Sequence, residues 1–267
     1  MRLAEMTWPE ARDAFAAGAV AFLPIGATEA HGPHLPLDTD VHIAVGAADR
    51  AAALLASEGT PALVLPPLTY GVSFIGTSFA GTLPLTSETM RALVRDVLVG
   101  LDRYGCTAAV IVNSHLEPAH ADALRAGLSA AETETVGRLR AVFPDLREER
   151  WAALLSDEFR RGARHAGAYE TALMLAQAPE TVREDERREL PPVWIDLPAR
   201  IRAGAPTFAA AGATMGYFGD PAVATTAEGV ALFDILARIY VTALRERLAD
   251  PSTAGKGDDA ITGRDRN

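Results

Sequence analysis

Two unbroken apolar runs of strand length, residues 20–25 and 108–112, each give way at once to a polar segment rich in histidine and acid. A strand with no polar alternate has no face for water, and such strands belong to parallel sheets covered by helices on both sides. Residues 62–65, closed by Pro66-Pro67, and residues 138–143 read as two further strands. Helical segments separate them. Thr7-Trp8-Pro9-Glu10 is a capping box that opens a short helix to about Ala17. Residues 40–57 place Val41, Ala44, Val45, Ala48 and Ala52 at helical spacing. Thr86-Ser87 caps a helix to Tyr104 that buries Leu93, Val94, Val97, Leu98 and Leu101 and ends at Gly105. Residues 118–131, 151–160 and 168–177 read as helices. Thr225-Thr226-Ala227-Glu228 opens the last one, with Val230, Phe233, Ile235, Leu236, Ile239 and Leu244 periodic. Residues 70–85, rich in Gly, Ser and Thr, form a long loop, and long loops in compact domains are often functional. The Pro-containing segment 181–215 yields no clear element.

This alternation predicts an α/β fold with a mostly parallel sheet. No linker divides the middle, so residues 1–249 are expected to form one domain. The polar, Gly/Asp-rich stretch 250–267 is expected to be a disordered tail. The formal charge of −10 argues against binding a phosphate backbone. The single Lys, Lys256, lies in that tail, and the single Cys is Cys106. Schiff-base chemistry, a P-loop, thiolate zinc, iron–sulfur clusters and an internal disulfide are thereby excluded. The opening residues lack a basic head before a long apolar run, and the apolar stretch 14–25 is too short for a bilayer. A cytoplasmic protein with no membrane and no nucleic-acid partner is the expectation.

Chemistry is expected beyond the carboxyl ends of the strands, and two clusters stand there. After the first run, Glu29-Ala30-His31-Gly32-Pro33-His34-Leu35-Pro36-Leu37-Asp38-Thr39-Asp40 brings a carboxylate, an imidazole and a second carboxylate toward one region. After the second, Asn113-Ser114-His115-Leu116-Glu117 repeats the acid/imidazole pairing at the same spacing of two residues. One such pair is as readily a surface or capping feature; two, each after a buried strand, point to a binuclear metal site. Such a site takes five or six N/O ligands with one bridging carboxylate, and Glu29, His31, Asp40, His115 and Glu117 supply five. A donor set without Cys suits two divalent ions of the Zn²⁺ or Mn²⁺ kind. In His165-Ala166-Gly167-Ala168-Tyr169-Glu170-Thr171, His165 is a candidate general acid/base or a helix-cap residue. Glu170 is equally explained by the helix dipole. His34, His42 and His120 read as structural or supporting histidines.

Together these segments resemble the creatininase (creatinine amidohydrolase) family. The carriers are residues 23–40, Tyr70-Gly71-Val72-Ser73 with Gly81-Thr82-Leu83, and His165-Ala166-Gly167 followed by Glu170-Thr171. The resemblance implies a three-layer αβα sandwich, a binuclear metal centre with Zn and/or Mn, and a homohexamer. It implies Glu29 and His115 on one metal, His31 and Glu117 on the other, and Asp40 bridging them. A metal-bridging water is then the nucleophile, His165 the proton-transfer group and Ser73 a substrate contact. Many members lack an acid at the Glu117 position, and in them the equivalent of Glu170 completes the site; Glu170 therefore stands as a competing or additional ligand. Creatinine-hydrolysing members carry Trp and Asp shortly before the proton-transfer His. Arg160-Arg161-Gly162-Ala163-Arg164 stands there instead, and Gly76 and Ala80 replace a common His and Pro. The metal centre thus reads as intact and the pocket as rebuilt. An arginine at the pocket mouth, notably Arg161 or Arg164, implies a carboxylate or phosphate on the substrate; the alternative is a solvated helix face. The implied activity is metal-dependent hydrolysis of a non-peptide C–N bond in a small cyclic amide or formamide, anionic where an arginine lines the pocket. The alternatives are a peptidase trimming a short peptide in cofactor maturation, a ring-opening hydrolase of a cyclic ketone in sugar or inositol catabolism, and a non-catalytic scaffold.

Overall fold

Residues 1–250 are described by a computed structural model of the chain. The disorder expected of residues 250–267 concerns a stretch that, beyond Asp250, lies outside the described residues. Strands β1 (Val20–Ile25), β2 (Ala62–Val64), β3 (Ala108–Asn113) and β4 (Arg140–Val142) form one all-parallel sheet in the order β2-β1-β3-β4. Alternate side chains explain the apolar runs. Val20, Phe22, Val110 and Val112 pack on one face against α2 (Thr39–Ser57), α7 (Ala168–Gln177) and α11 (Thr226–Ala249). Ala21, Leu23, Ile25, Ala109 and Ile111 pack on the other against α1 (Trp8–Ala16), α3 (Ser87–Arg103) and α4 (Pro118–Glu134). Both faces are dry along β1 and along β3 as far as Val112, so those positions are apolar throughout. The three-layer αβα architecture is the one expected.

The chain first steps outward from β1 through α2 to β2. It then returns through α3 to β3 and continues through α4 to β4. A right-handed crossover must change face when the direction of strand addition reverses. Accordingly α2 lies on one face, and α3 and α4 on the other. The reversal leaves a switch point between β1 and β3, where Ile25 pairs with Asn113, and open α/β sheets place their ligands at such a point.

Most predicted elements hold within a residue or two. The capping box forms, the Thr7 N–H donating to Glu10 Oε2 at 2.7 Å. The departures have local causes. The helix predicted over 151–160 is two, α5 (Glu149–Ala152) and α6 (Asp157–Arg160); Ser156 breaks the run by accepting the Phe159 N–H at 3.3 Å and capping the second. Segment 181–215 holds three short helices, α8 (Glu184–Glu189), α9 (Leu197–Arg202) and α10 (Phe208–Ala211). Met90 joins the buried face of α3 while Leu93 and Val97 stay half-buried, and Val230 faces outward from α11. No helix of the described residues is long and apolar enough to cross a membrane.

Candidate metal centre and substrate cavity

Gly26 sets the approach of α2 to the end of β1. A Cβ there would stand 2.6 Å from the Val41 nitrogen and 2.7 Å from the Asp40 carbonyl carbon. Only glycine lets the first turn of α2 deliver Asp40 to the switch point. The segment after β1 then folds back, with the Glu29 N–H donating to the Leu37 carbonyl at 2.9 Å, which brings Glu29 and His31 beside Asp40.

Asp40 lies between two imidazoles. Its Oδ1 is 3.4 Å from His31 Nε2 and its Oδ2 is 3.2 Å from His115 Nδ1. Glu29 Oε1 is 3.1 Å from His115 Nδ1, 3.6 Å from His165 Nδ1 and 3.8 Å from His31 Nε2. Glu170, in the first turn of α7, places Oε2 at 3.7 Å from His31 Nε2 and accepts the Ala166 N–H. Three interlocking sets of metal-capable atoms result: Glu29–Asp40–His115, His31–Asp40–Glu170 and Glu29–His31–His165. Asp40 belongs to the first two.

Glu117 stands apart from these sets. It lines the cavity, accepts the Ile75 N–H at 3.2 Å and comes no nearer than 4.0 Å to His115 Nε2, the nitrogen turned away from Asp40. Ser73 is fully buried, is not among the lining residues, and donates its hydroxyl to Glu29 Oε2.

The outer nitrogens are fixed by backbone acceptors. His115 Nε2 donates to the Val72 carbonyl at 2.8 Å, leaving Nδ1 for the site. His31 Nδ1 donates to the Glu29 carbonyl at 3.1 Å, leaving Nε2. His120, read as a supporting residue, accepts the Val72 N–H on Nδ1 at 3.1 Å and donates from Nε2 to Asn113 Oδ1 at 3.0 Å. It props the segment that orients His115, as outer partners of metal ligands do. His34 is bonded to Thr171 Oγ1 through Nε2 at 2.9 Å, and His42 pairs with Asp38 at 3.3 Å, away from the cluster.

Electrostatics and orphaned atoms agree on a cation. Burial alone would raise the Glu29 carboxyl, yet His115 and then His165 outweigh it and hold it down at about 2. Asp40 is likewise held below the carboxylate range against its burial, chiefly by His31. Burial works against a charge on His31, but Asp40, Glu170 and Glu29 push it up to about 10. Glu170 is raised to about 8 by burial, against the pull of His31. Protons on the imidazoles therefore balance the carboxylates, and a dication does the same work while releasing them. His31 Nε2 and Asp40 Oδ2 are buried with no hydrogen-bond partner. Each such orphan costs about 1–3 kcal/mol, and a cation between them removes both deficits. The residues present fit a metal.

Above the cluster opens a cavity of about 470 Å³. Its floor includes Glu29, Asp40, His115 and Glu170. Ile75, Leu116, Pro118, Leu197, Ile201 and Phe208 give it apolar walls, and Arg147, Arg164 and Arg202 also line it. Arg161 is not among the lining residues; its guanidinium stands 5.9 Å from the Trp194 ring. His165 closes one side, stacked on Phe208 with ring centroids 4.0 Å apart. Ala166, beside it, holds φ at +52°, a left-handed conformation that non-glycine residues rarely adopt outside strained sites. Sequence reasoning missed Arg147, Arg202 and Phe208. Arg147 follows the carboxyl end of β4, so the strand-end rule could have found it; Arg202 and Phe208 lie in the segment that gave no pattern.

The model of one family, described as Creatininase: creatinine amidohydrolase, matches residues 4–244. A mycofactocin precursor peptide peptidase of Mycobacterium tuberculosis (strain CDC 1551 / Oshkosh) is 35% identical over 224 residues, 79% of this chain and 78% of that protein. A creatinine amidohydrolase of Pseudomonas putida is 31% identical over 204 residues, 70% of this chain and 76% of that one. Two solved structures, described as a manganese creatininase and a substituted creatininase of Zn-Zn type, superpose with TM-scores of 0.74 at 25% identity. Each covers 93% of this chain, which spans 99% and 98% of theirs.

Proposed function

The chain belongs to the creatininase family, and from that premise we propose that it is a binuclear metal-dependent hydrolase that cleaves an amide C–N bond in a short peptide or a peptide-like substrate. The observation that carries the metal reading is the pair of ligand sets sharing Asp40, with His31 Nε2 and Asp40 Oδ2 buried and unpartnered. Glu29, Asp40 and His115 would hold one ion, and His31, Asp40 and Glu170 the other. Glu117 is the reserve acid at the cavity wall. Zinc and manganese suit this N/O donor set.

Bound there, two such ions supply an acidified water and a Lewis acid for the scissile carbonyl. The chain's own groups do the rest. The Ser73 hydroxyl holds Glu29 in place through Oε2. His165 donates from Nε2 to the Ala30 carbonyl at 2.9 Å, so its lone pair sits on Nδ1, beside Glu29. Burial, the largest influence, lowers its pKa and keeps the ring neutral, so Nδ1 can accept the proton that the attacking water loses. It passes that proton to the departing nitrogen. Phe208 stacks on the ring and shields it from water.

A peptide-like substrate is preferred over a small cyclic amide for two reasons: the cavity has apolar as well as polar walls beside the ligand cluster, and the peptidase relative is similar over 79% of the chain against 70% for the creatinine amidohydrolase. The cyclic amide stands as the second reading, supported by the Pseudomonas putida relative. A single domain spanning residues 1–249, a homohexameric assembly and a cytoplasmic location complete the proposal. The decisive test is metal analysis of purified protein together with amine release from a panel of short peptides, lactams and formamides. About two divalent ions per chain and chelator-sensitive hydrolysis are expected. A metal-free protein indifferent to chelators would overturn the mechanism. Loss of one ion in Glu117→Gln but not in Glu170→Gln would overturn the ligand assignment.

A further inference from the structure

Three arginines line the cavity, and they differ in how they are paired. Arg147 is spent: Nε and Nη2 grip the Asp145 carboxylate at 2.9 and 2.6 Å. Asp145 also takes Arg125 Nη2 at 2.5 Å, and Glu148, which lines the cavity with Asp145, lies 3.8 Å from the same Arg125 nitrogen. Arg164 and Arg202 have no ion-pair partner among the described residues. Arg164 is nevertheless held in place. Its Nε donates to the Phe159 carbonyl at 2.9 Å and its guanidinium sits 4.7 Å from the Phe159 ring, which leaves its two terminal nitrogens free. Burial and then the like charge of Arg147 disfavour its charged form, against the pull of Asp196 and Asp145. Asp196 itself is engaged, capping α9 through the Ala199 N–H at 2.9 Å.

A half-buried, oriented guanidinium without a counter-ion is costly unless a ligand brings one. The geometry points to a carboxylate subsite formed by Arg164 and Arg202, so that the substrate carries a free carboxylate away from its scissile C–N bond. The part about the scissile bond rests on the hydrolase reading above; the subsite does not. A planar monoanion matches the guanidinium fork. A phosphate dianion would meet more repulsion from Asp145, Glu148 and Asp196. Leu197 and Ile201 stand on the same helix as Arg202 and line the cavity with it, so the carboxylate is expected next to an apolar group. A chain-terminal carboxylate following an apolar residue fits, and so does an acidic side chain beside one.

The test needs no turnover. Metal-loaded protein is titrated by calorimetry with 3-phenylpropionate and with its neutral counterpart 3-phenylpropanol, neither of which has a C–N bond. The acid is expected to bind about tenfold tighter or better, the scale of a charge-assisted hydrogen bond. Arg164→Ala and Arg202→Ala should each cut that preference to about threefold or less, while Arg161→Ala, outside the cavity, preserves it. Because Arg164 also packs on Phe159, the exposed Arg202 is the variant that decides if Arg164→Ala fails to fold. The acid could instead bind at the ligand cluster, and Asp40→Asn separates the two. A preference that survives Asp40→Asn and falls with Arg202→Ala supports the subsite. A preference that survives both arginine variants, or is absent from the unaltered protein, overturns it. If hydrolysis is found, free-acid peptides set against C-terminally amidated peptides carrying a glutamate tell which source of carboxylate is read; indifference to both would also overturn the subsite.

Discussion

Glu29, His31, Asp40, His115 and Glu170 hang from the ends of β1 and β3 and from the first turns of α2 and α7, with at most 3% of their surface exposed. Arg202 and Phe208, which face the same cavity, come from helices of six and four residues. Helices that short do not stand alone in water. This cover is held by a small satellite cluster, in which Leu197, Phe208 and Phe218 pack on Ile75, separate from the two large cores on the sheet. The contrast assigns different tasks. Metal geometry tolerates little error, and the proposed ligands sit on rigid elements with outer partners behind them. Selection of a substrate tolerates more and sits where local opening costs little.

The largest effect should come from breaking the frame at its shared ligand. Asp40→Asn removes a carboxylate common to two ligand sets. A loss of hydrolysis on the order of 10³-fold or more, with both ions reduced by metal analysis, is the expected result. Retention of both ions would remove the bridging role. One layer out, His120→Ala leaves every ligand in place but frees the segment that orients His115. A fall of about 10- to 100-fold in metal affinity is expected, and an unchanged affinity would show that the backbone alone holds His115. On the cover, Phe208→Ala unstacks His165 without touching a ligand. Turnover should fall about tenfold at full metal content, with faster amide exchange confined to α9 and α10. Loss of metal in that variant would erase the distinction between frame and cover.

Much of the frame was legible in the sequence because its physics is local. A strand buried on both faces must be apolar throughout, so residues 20–25 and 108–112 announced themselves, and the polar residues that follow them form the candidate site. The helix boundaries followed from caps at Thr7, Thr86 and Thr225. The proposed preference for Glu170 over Glu117 was not legible, because it rests on where α7 lands against His31, a contact between residues 139 positions apart in the chain. The role of Ser73 was equally hidden: its spacing from the motif does not say whether its hydroxyl turns to the cavity or to Glu29. Segment 181–215 gave no period because helices of four to six residues, each packed on a few apolar side chains, are too short to build one. Arg147 is the instructive omission, since it stands just beyond β4, where the rule that found the other clusters also points.

The smallest effect separates the paired arginine from the unpaired ones. Asp145 is only 3% exposed, while Arg147 and Arg125 are 21% and 43% exposed, so solvent screens the pairing in part. Burial by itself would raise the Asp145 carboxyl; hydrogen bonds from the Arg147 side chain and N–H, with the charges of Arg147 and Arg125, hold it below the usual range. An acid depressed in the folded state contributes stability above its unfolded pKa, about 3.9, and loses that contribution as pH falls through the folded value. Asp145→Asn should therefore cost about 1–3 kcal/mol near pH 7, and the gap to the unaltered protein should narrow below about pH 4. Urea titrations at the two pH values measure both. Metal content should be unchanged, because neither Asp145 nor Arg147 belongs to a ligand set. The variant also unpairs Arg147, which should tighten binding of 3-phenylpropionate if counter-ion supply is what distinguishes the three cavity arginines. No gain in carboxylate binding would mean that position in the cavity, and not pairing, sets Arg164 and Arg202 apart.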